Sequence, residues 1–384
     1  MQLFREIHVR LKEQGGGIVN ICLVPSWKMW RWAAIRQWAD PHGMEYETFY
    51  VPTFYVPIIG RNFNWRYCLS ALERAIAAPE LYDGVFAPWL YPDGVGAVLY
   101  ASLNGLPSWI MALGSDVVNL DYSMRRKIIL RACNKAKKVI CVCQSVKDGM
   151  LRKGAPDTDK ITIVPNGVDT NLFRYQPVEK AANRIGKPGL LSAGNRKTVL
   201  YVGNLAHVKG PDILLSAWQQ YKNAMNNELA MGDADCIAQR KADRLVVIGE
   251  GPMLAGLKKM TRLLRIDDSV FFVGAVSHDK VAAWMNVADV LCLPSRSEGM
   301  PNVVLEALAC GLPVVASNVG ACKEMLADSP ESQTVPAETP DILTDAIVRI
   351  LALKVDRKAM SERYANARSW ADQARQILAI MEQS

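Results

Sequence analysis

This sequence predicts a two-domain α/β protein, each domain a doubly wound parallel sheet with helices on both faces. Three observations predict it. The chain runs to 384 residues, more than one ordinary core accommodates. Short β-branched runs alternate with helical patterns, and the runs are apolar throughout, as strands buried on both faces must be. Near the middle, the polar, glycine-rich stretch 180–197 interrupts that alternation and reads as a linker. The implied domains are 1–182 and 183–366, followed by a C-terminal helical segment, 367–384.

The chain opens with an amphipathic helix that places Leu3, Phe4, Ile7 and Leu11 on one face. Residues 18–27 can form a strand, and 83–88, 106–113, 138–145 and 161–164 supply four more. Between them, 90–105 reads as a helix ending at Gly105. A doubly wound domain normally opens on a strand and a glycine-rich turn. Both are missing here, which predicts a start upstream of Met1 or a truncated first domain lacking its first strand. The second half is more regular. Strands at 198–202, 245–249, 270–274 and 290–294 are separated by helices at 211–225, 253–265 and from about Pro301 to Cys310. Pro211 sits in a first turn, where its missing N–H costs nothing.

Composition narrows the function classes. Half the residues are hydrophobic and 22% are charged, which excludes disordered, collagen-like and disulfide-miniprotein chains. The net charge of +7 is one-sided. Residues 1–190 hold 24 Lys and Arg against 16 Asp and Glu, while 191–384 hold 21 against 22. Such a split points to an anionic partner: a membrane surface, a nucleic acid or an anionic substrate. No nucleic-acid recognition motif accompanies the charge, so no nucleic-acid partner is expected. The nine cysteines show no CxxC spacing and sit mostly in apolar runs, which predicts free thiols, a cytoplasmic setting and no zinc site. The N-terminus has no signal-peptide core. The longest apolar tract, 303–321, is broken by Glu306, Gly311 and Pro313. Any membrane contact is therefore expected to be peripheral, at the inner face of the plasma membrane.

Three strand-to-helix loops carry the residues with chemistry in them. In the first, a buried strand ends at Pro294, a polar loop runs through Ser295–Met300, and a helix starts at about Pro301. The positive end of that helix faces the carboxyl edge of the sheet, where doubly wound folds hold nucleotides and a diphosphate is stabilised. Glu298 in the loop and Glu306 in the helix can accept hydrogen bonds from hydroxyls at separated points of one elongated ligand. The alternative is a helix cap and a solvated carboxylate. In the second loop, Lys209 lies just ahead of a helix start and can bring a point charge to a phosphate; a solvated surface lysine is its alternative. The third, Gly249-Glu250-Gly251-Pro252, permits close backbone approach but is a weak signal alone.

Together these segments resemble the donor-binding domain of retaining glycosyltransferases of the GT-B fold, specifically glycosyltransferase family 4. The resemblance is carried by the spaced glutamates Glu298 and Glu306 within SEGMPNVVLEALACGLPVVAS and by GN-x4-KG at 203–210. It is carried also by GEGP at 249–252, VGAVSHDKV at 273–281, ADVLCLPS at 288–295 and IVPNGVDTNLF at 163–173. It covers residues 160–384. The first half resembles more thinly, at 89–99, 105–117 and 137–150, the branch that builds bacterial surface polysaccharides. The resemblance implies two Rossmann-like domains facing across a cleft, with the C-terminal helix crossing back onto the first. It implies retaining transfer of a hexose-type sugar from a nucleotide-diphosphate donor to a glycan or lipid-linked acceptor, with no metal or other cofactor.

Residue by residue, the resemblance places Lys209 on the donor diphosphate and Asn204 where many members have Arg. Glu298, with the backbone of Gly299, Met300 and Pro301, would hold the donor sugar, and Glu306 the ribose. Gly251 belongs to the donor-side turn, and Val273 with Gly274 flanks the base. Lys209 and Glu298 are the expected catalytic residues, with fixed positive groups stabilising the departing nucleoside diphosphate. Many members carry His just before the Gly114-Ser115-Asp116 triplet; here that position is Leu113. Asp116 remains a catalytic candidate, with the bracing of a turn as its alternative. Leu113 and the short N-terminus keep open a catalytically impaired donor-binding relative, and the shared fold keeps open a nucleotide-sugar epimerase. Asp233 and Asp235 match the metal-binding D-x-D pattern of another glycosyltransferase fold but sit in a polar insertion, 226–244, and read as surface loop.

The basic first half holds two further features. Trp27, Lys28, Trp30, Arg31, Trp32, Arg36 and Trp38 have the composition of an interfacial segment. Arg125, Arg126, Lys127, Arg131, Lys135, Lys137 and Lys138 recur at helical spacing. Both fit an anionic membrane surface, at ~1 kcal/mol per basic residue. Buried tryptophans and a solvated cationic face are the alternative.

Overall fold

The computed structural model describes residues 2–25, 48–53, 61–156, 158–185, 196–228, 243–365 and 369–383. The chain divides into two compact units, Met1–Gly167 with Trp370–Ser384, and Val168–Ser369.

In the first unit, the helix Gln2–Glu13 buries Leu3 and Ile7 and packs against the helix Trp370–Gln383. Gln373 is buried on that second helix, and its side-chain oxygen accepts the Gly167 N–H at 3.1 Å. Strand β1 (Asn20–Pro25) runs parallel to β2 (Thr48–Thr53) as a pair. Four further strands, β3 (Val85–Ala87), β4 (Ser108–Ala112), β5 (Lys138–Cys141) and β6 (Ile161–Ile163), form a parallel sheet in that order. All five residues of β4 are buried, in keeping with helices on both sides of it. Where a truncated domain without an opening strand was expected, the parallel pair β1–β2 precedes β3, and a helix precedes that pair.

The second unit is one six-stranded, wholly parallel sheet. Its strands are β7 (Thr198–Val202), β8 (Arg244–Ile248), β9 (Val270–Gly274), β10 (Val290–Leu293), β11 (Val314–Ser317) and β12 (Gln333–Val335). Across the sheet they lie β9-β8-β7-β10-β11-β12. Numbered from β7, this is the 3-2-1-4-5-6 order of dinucleotide-binding folds. The chain leaves β7 toward β8 and leaves β10 toward β11, in opposite directions along the sheet, so the switch point falls between β7 and β10. Val199, Tyr201, Leu245, Val247, Val290 and Cys292 share one core with Trp218, Tyr221, Leu257 and Ile347 from the helices Pro211–Glu228, Leu254–Leu263 and Pro340–Leu351.

The expected boundary at 182 moves to 167. Residues 174–176 are bonded into the second unit: the Gln176 N–H donates to Asn286 Oδ1 at 2.7 Å, and Asn286 Nδ2 donates to the Arg174 carbonyl at 3.0 Å. The helix Val178–Ile185, read as linker in the sequence, packs on the helix His278–Val287. Half-buried Arg357 ties helix ends in the same unit. Its guanidinium donates to the carbonyls of Met285, Asn286, Ala288 and Gly311 at 2.7–3.0 Å, so the negative ends of two helices offset its charge. The cysteines described are free thiols. Asp233, Asp235 and the Trp27–Trp38 cluster lie outside the described residues.

Candidate active site

The loop after β7 and the loop after β10 meet at the switch point, at the carboxyl edge of the sheet. Gly210 makes their approach possible. It has φ +62°, and a Cβ there would stand 2.0 Å from the Pro294 carbonyl oxygen. The result brings together two residues 89 positions apart. Lys209 Nζ donates to Glu298 Oε1 at 2.8 Å and Oε2 at 2.7 Å, and the Ser295 hydroxyl donates to Oε1 at 2.6 Å. The Glu298 side chain is 6% exposed and that of Lys209 31%. The carboxylate is therefore fixed by two donors, while the ammonium keeps an open side from which it can reach a phosphate.

Arg296 holds these loops in register, and sequence reasoning missed it. Its guanidinium makes a two-pronged contact with Asp212, at 3.0 and 2.7 Å, and also donates to the His207 carbonyl at 2.6 Å and to Glu338 at 2.9 Å. Its backbone N–H donates to the Val208 carbonyl at 2.9 Å. The Arg296 side chain pulls the Asp212 carboxyl below the usual carboxylate range against the opposing effect of burial. A charged residue two positions before Glu298 was the available signal, but nothing in the sequence pairs it with Asp212.

The remaining donor-side candidates surround this pair. Gly299, Met300 and Pro301 are buried, and the Gly299 carbonyl accepts the Ala321 N–H at 2.7 Å. Pro301 precedes the helix Asn302–Ala309 and caps it with no side-chain hydrogen bond. Glu306 lies in the second turn of that helix with no side-chain hydrogen bond or ion pair among the described residues. Burial pushes its carboxyl up to about 7. A neutral or easily neutralised carboxyl beside a sheet edge suits a hydroxyl-bearing ligand, which can both donate to it and accept from it. Asn204 is exposed, and its side chain lies over Gly251, where a Cβ would stand 2.4 Å from Asn204 Oδ1. The loops after β7 and β8 are further joined by the Leu205 N–H donating to the Glu250 carbonyl at 2.8 Å. Val273, on the edge strand β9, lines a cavity of about 320 Å3 with Lys258, Phe271 and Phe272.

Asp116 lies in the other unit and is 1% exposed. Its carboxylate accepts the Leu113 N–H at 2.9 Å and the Leu90 N–H at 3.3 Å. Burial raises it to about 6 despite those bonds. That geometry joins the loop after β3 to the loop after β4, which is the bracing alternative stated for it. The basic stripe is partly engaged within the chain. Arg126 donates to the Leu120 carbonyl, Lys135 to Ser102 Oγ and Lys138 to the Asp159 carbonyl, whereas Lys127, Arg131 and Lys137 are exposed.

Comparison with known proteins shows what this chain is similar to as a whole. The family model described as glycosyl transferases group 1 matches residues 186–368, and that described as Glycosyltransferase Family 4 matches 33–172. A GDP-mannose-dependent alpha-(1-6)-phosphatidylinositol monomannoside mannosyltransferase of Mycobacterium tuberculosis is 27% identical over 63% of this chain and 59% of its own length. A D-inositol 3-phosphate glycosyltransferase of Segniliparus rotundus is 32% identical over 59% of this chain and 47% of its own. The chain thus aligns with about half the length of these relatives. The crystal structure of Anabaena HepE in complex with UDP-glucose has the same fold, with a TM-score of 0.72 at 15% identity over 100% of this chain and 96% of that one. The two family models together take in most of both units, and this chain belongs to glycosyltransferase family 4, with the GT-B pairing of two parallel-sheet α/β units.

Proposed function

We propose that this protein is a retaining hexosyltransferase that moves a sugar from a nucleotide-diphosphate donor to a glycan or lipid-linked acceptor in cell-surface polysaccharide synthesis, working at the cytoplasmic face of the membrane. One observation carries the reading: Lys209 and Glu298, from loops on either side of the switch point, are already in contact at the carboxyl edge of the sheet. In the proposed mechanism Lys209 turns toward the diphosphate as negative charge develops on the leaving group. Glu298, released from Lys209 and still bonded to Ser295, accepts hydrogen bonds from the sugar hydroxyls. The positive end of the helix Asn302–Ala309 adds fixed stabilisation that needs no reorganisation during the reaction. No metal is assigned a role. Glu306 would accept the ribose hydroxyls, and Val273 would flank the base.

The names of the relatives support a nucleotide-sugar donor and a phosphate-bearing acceptor, and the UDP-glucose in the HepE structure supports the donor class. Among the described residues no helix is long and apolar enough to cross a membrane. The proposed membrane contact is therefore peripheral and rests on the exposed cations Lys127, Arg131 and Lys137. Flotation with phosphatidylglycerol vesicles tests it, and absence of binding at moderate salt refutes it. The function itself is tested by thermal-shift screening against UDP-, GDP- and ADP-sugars, then by turnover of any donor that stabilises the protein. Transfer or slow hydrolysis is expected, and the anomeric configuration of the product reads retention. A protein that neither transfers nor hydrolyses any donor is not the enzyme proposed.

A further inference from the structure

We propose that Arg125, held between the rings of Tyr91 and Tyr122, binds a phosphate group carried by the acceptor. The proposal rests on the glycosyltransferase reading and adds to it a specific anion site in the first unit. Three segments build the site. Residues 61–67 follow β2, Leu90 and Tyr91 follow β3, and residues 119–126 follow β4. All three lie beyond the carboxyl ends of parallel strands, the edge at which such folds hold ligands.

The guanidinium of Arg125 is oriented but not neutralised. Its Nε donates to Asn62 Oδ1 at 3.0 Å and its Nη1 to Asn119 Oδ1 at 3.0 Å. Its Cζ stands 4.3 Å from the Tyr122 ring centroid and 5.7 Å from that of Tyr91. The Tyr91 hydroxyl donates to the Arg61 carbonyl, which fixes that ring in turn. Both asparagines are neutral, and Nη2 has no acceptor among the described residues. The carboxylates of the surrounding loops are committed elsewhere. Asp121 pairs with Lys153, and Asp116 is buried on backbone N–H groups.

A half-buried cation with no counter-charge is unfavourable, because two aromatic faces remove water without supplying an anion. A guanidinium positioned by two neutral acceptors, with N–H groups left over, matches the planar fork that binds phosphate oxygens in pairs. Arg66, stacked over Phe63 and Trp65 at 5.7 and 5.3 Å, is a second exposed cation without a carboxylate partner among the described residues. Tyr122 and Met124, each about half exposed, offer apolar surface beside the fork for the rest of the acceptor. One oriented fork in an aromatic setting favours a discrete phosphate ester over the diffuse attraction of a charged surface.

The test uses inorganic phosphate as probe and the full-length protein saturated with a nucleoside diphosphate that the wild type is shown to bind, so that the Lys209 site is already filled. Phosphate binding followed by phosphorus NMR titration should be saturable in the wild type and at least 10-fold weaker in Arg125→Gln. Arg125→Lys, which keeps the charge but loses the fork, should fall between them. Nucleotide affinity measured on each variant reports that the protein is folded; should Arg125→Gln fail that control, Arg125→Lys and Tyr122→Leu carry the test. Phosphate binding that is absent in the nucleotide-saturated wild type, or equal in the variants, overturns the proposal. So does a loss in Arg125→Gln of phosphatidylglycerol-vesicle binding alone. Failure of the wild type to bind any nucleotide would instead strike the glycosyltransferase reading, with phosphate binding to Arg125 still measurable by itself.

Discussion

Lys209 Nζ lies within 2.8 Å of both carboxylate oxygens of Glu298, and the two residues leave strands whose chains then diverge in opposite directions along the sheet. The contact closes the floor of the crevice that this divergence opens. A ligand that seats its diphosphate there must compete with Glu298 for Lys209.

Lys209→Ala and Glu298→Ala should each lower donor turnover by roughly 10²–10³-fold, the scale of losing one preorganised charge-stabilising group. Because each residue is the other's partner, the double variant should lose far less than the sum of the two. Steady-state rates of the three variants check this. A wild-type rate in either single variant refutes the assigned role.

Arg296 is expected to act through position. Arg296→Met removes the two-pronged bond to Asp212 and frees the Glu298 loop from the Lys209 loop. The Michaelis constant for the donor should rise about 10-fold, with an unfolding cost of only about 1–2 kcal/mol for these partly solvated bonds. Asp212→Asn should act in the same direction. Affinity for the bare nucleoside should be unchanged, because only the phosphate and sugar contacts depend on the latch. Equal weakening of nucleoside and nucleotide would show a merely structural role.

Glu306 should make stability and binding depend on pH. Its folded carboxyl titrates at about 7, above the ordinary range, because burial opposes the charge. An unfolded chain ionises it near ~4.3. Stability is therefore greatest below the unfolded value and is lost as pH rises toward 7, by of order 2 kcal/mol for this half-buried group. Glu306→Gln should abolish that slope in urea titrations between pH 5 and 8. Ribose hydroxyls donating to the carboxylate favour its ionised form, so donor binding at pH 6 should release a proton in the wild type and none in the variant. Calorimetry in buffers of different ionisation enthalpy measures it.

Asp116→Ala leaves the Leu90 and Leu113 amides unpaired in the interior and should cost about 2–3 kcal/mol. Asp116→Asn keeps an acceptor oxygen and should retain turnover within ~10-fold at a temperature well below its unfolding midpoint, as expected of a brace. Loss of turnover beyond ~100-fold with an unchanged midpoint would make it a participant in the chemistry.

Much of the second unit was legible in the sequence. Strands at 198–202 and 270–274 coincide with the observed β7 and β9, because continuous apolar runs bounded by glycine and polar residues have few other uses. The GN-x4-KG and SEGMP segments marked their loops for the same reason: each follows such a strand and opens a helix. The first unit was harder. Residues 180–197 read as a linker because they are polar and glycine-rich, yet the first of them belong to the helix Val178–Ile185, which packs on the helix His278–Val287 nearly a hundred residues further along the chain. Leu90 and Tyr91 read as the start of a helix, which begins instead at Asp93.

By itself the sequence determined the kinds of element, their order and the family. Periods of 2 and 3.6 residues report which face of each element is buried, and that information is local. Tertiary structure alone decided which loops become neighbours. The contacts of Lys209 with Glu298, of Arg296 with Asp212, and of Arg125 with Tyr91 and Tyr122 follow from strand order and from how far each chain turns before re-entering its sheet. No periodicity encodes that order. It is set by the combined packing of helices and strands across each sheet, and the charges of the site come to rest where that packing leaves an edge open.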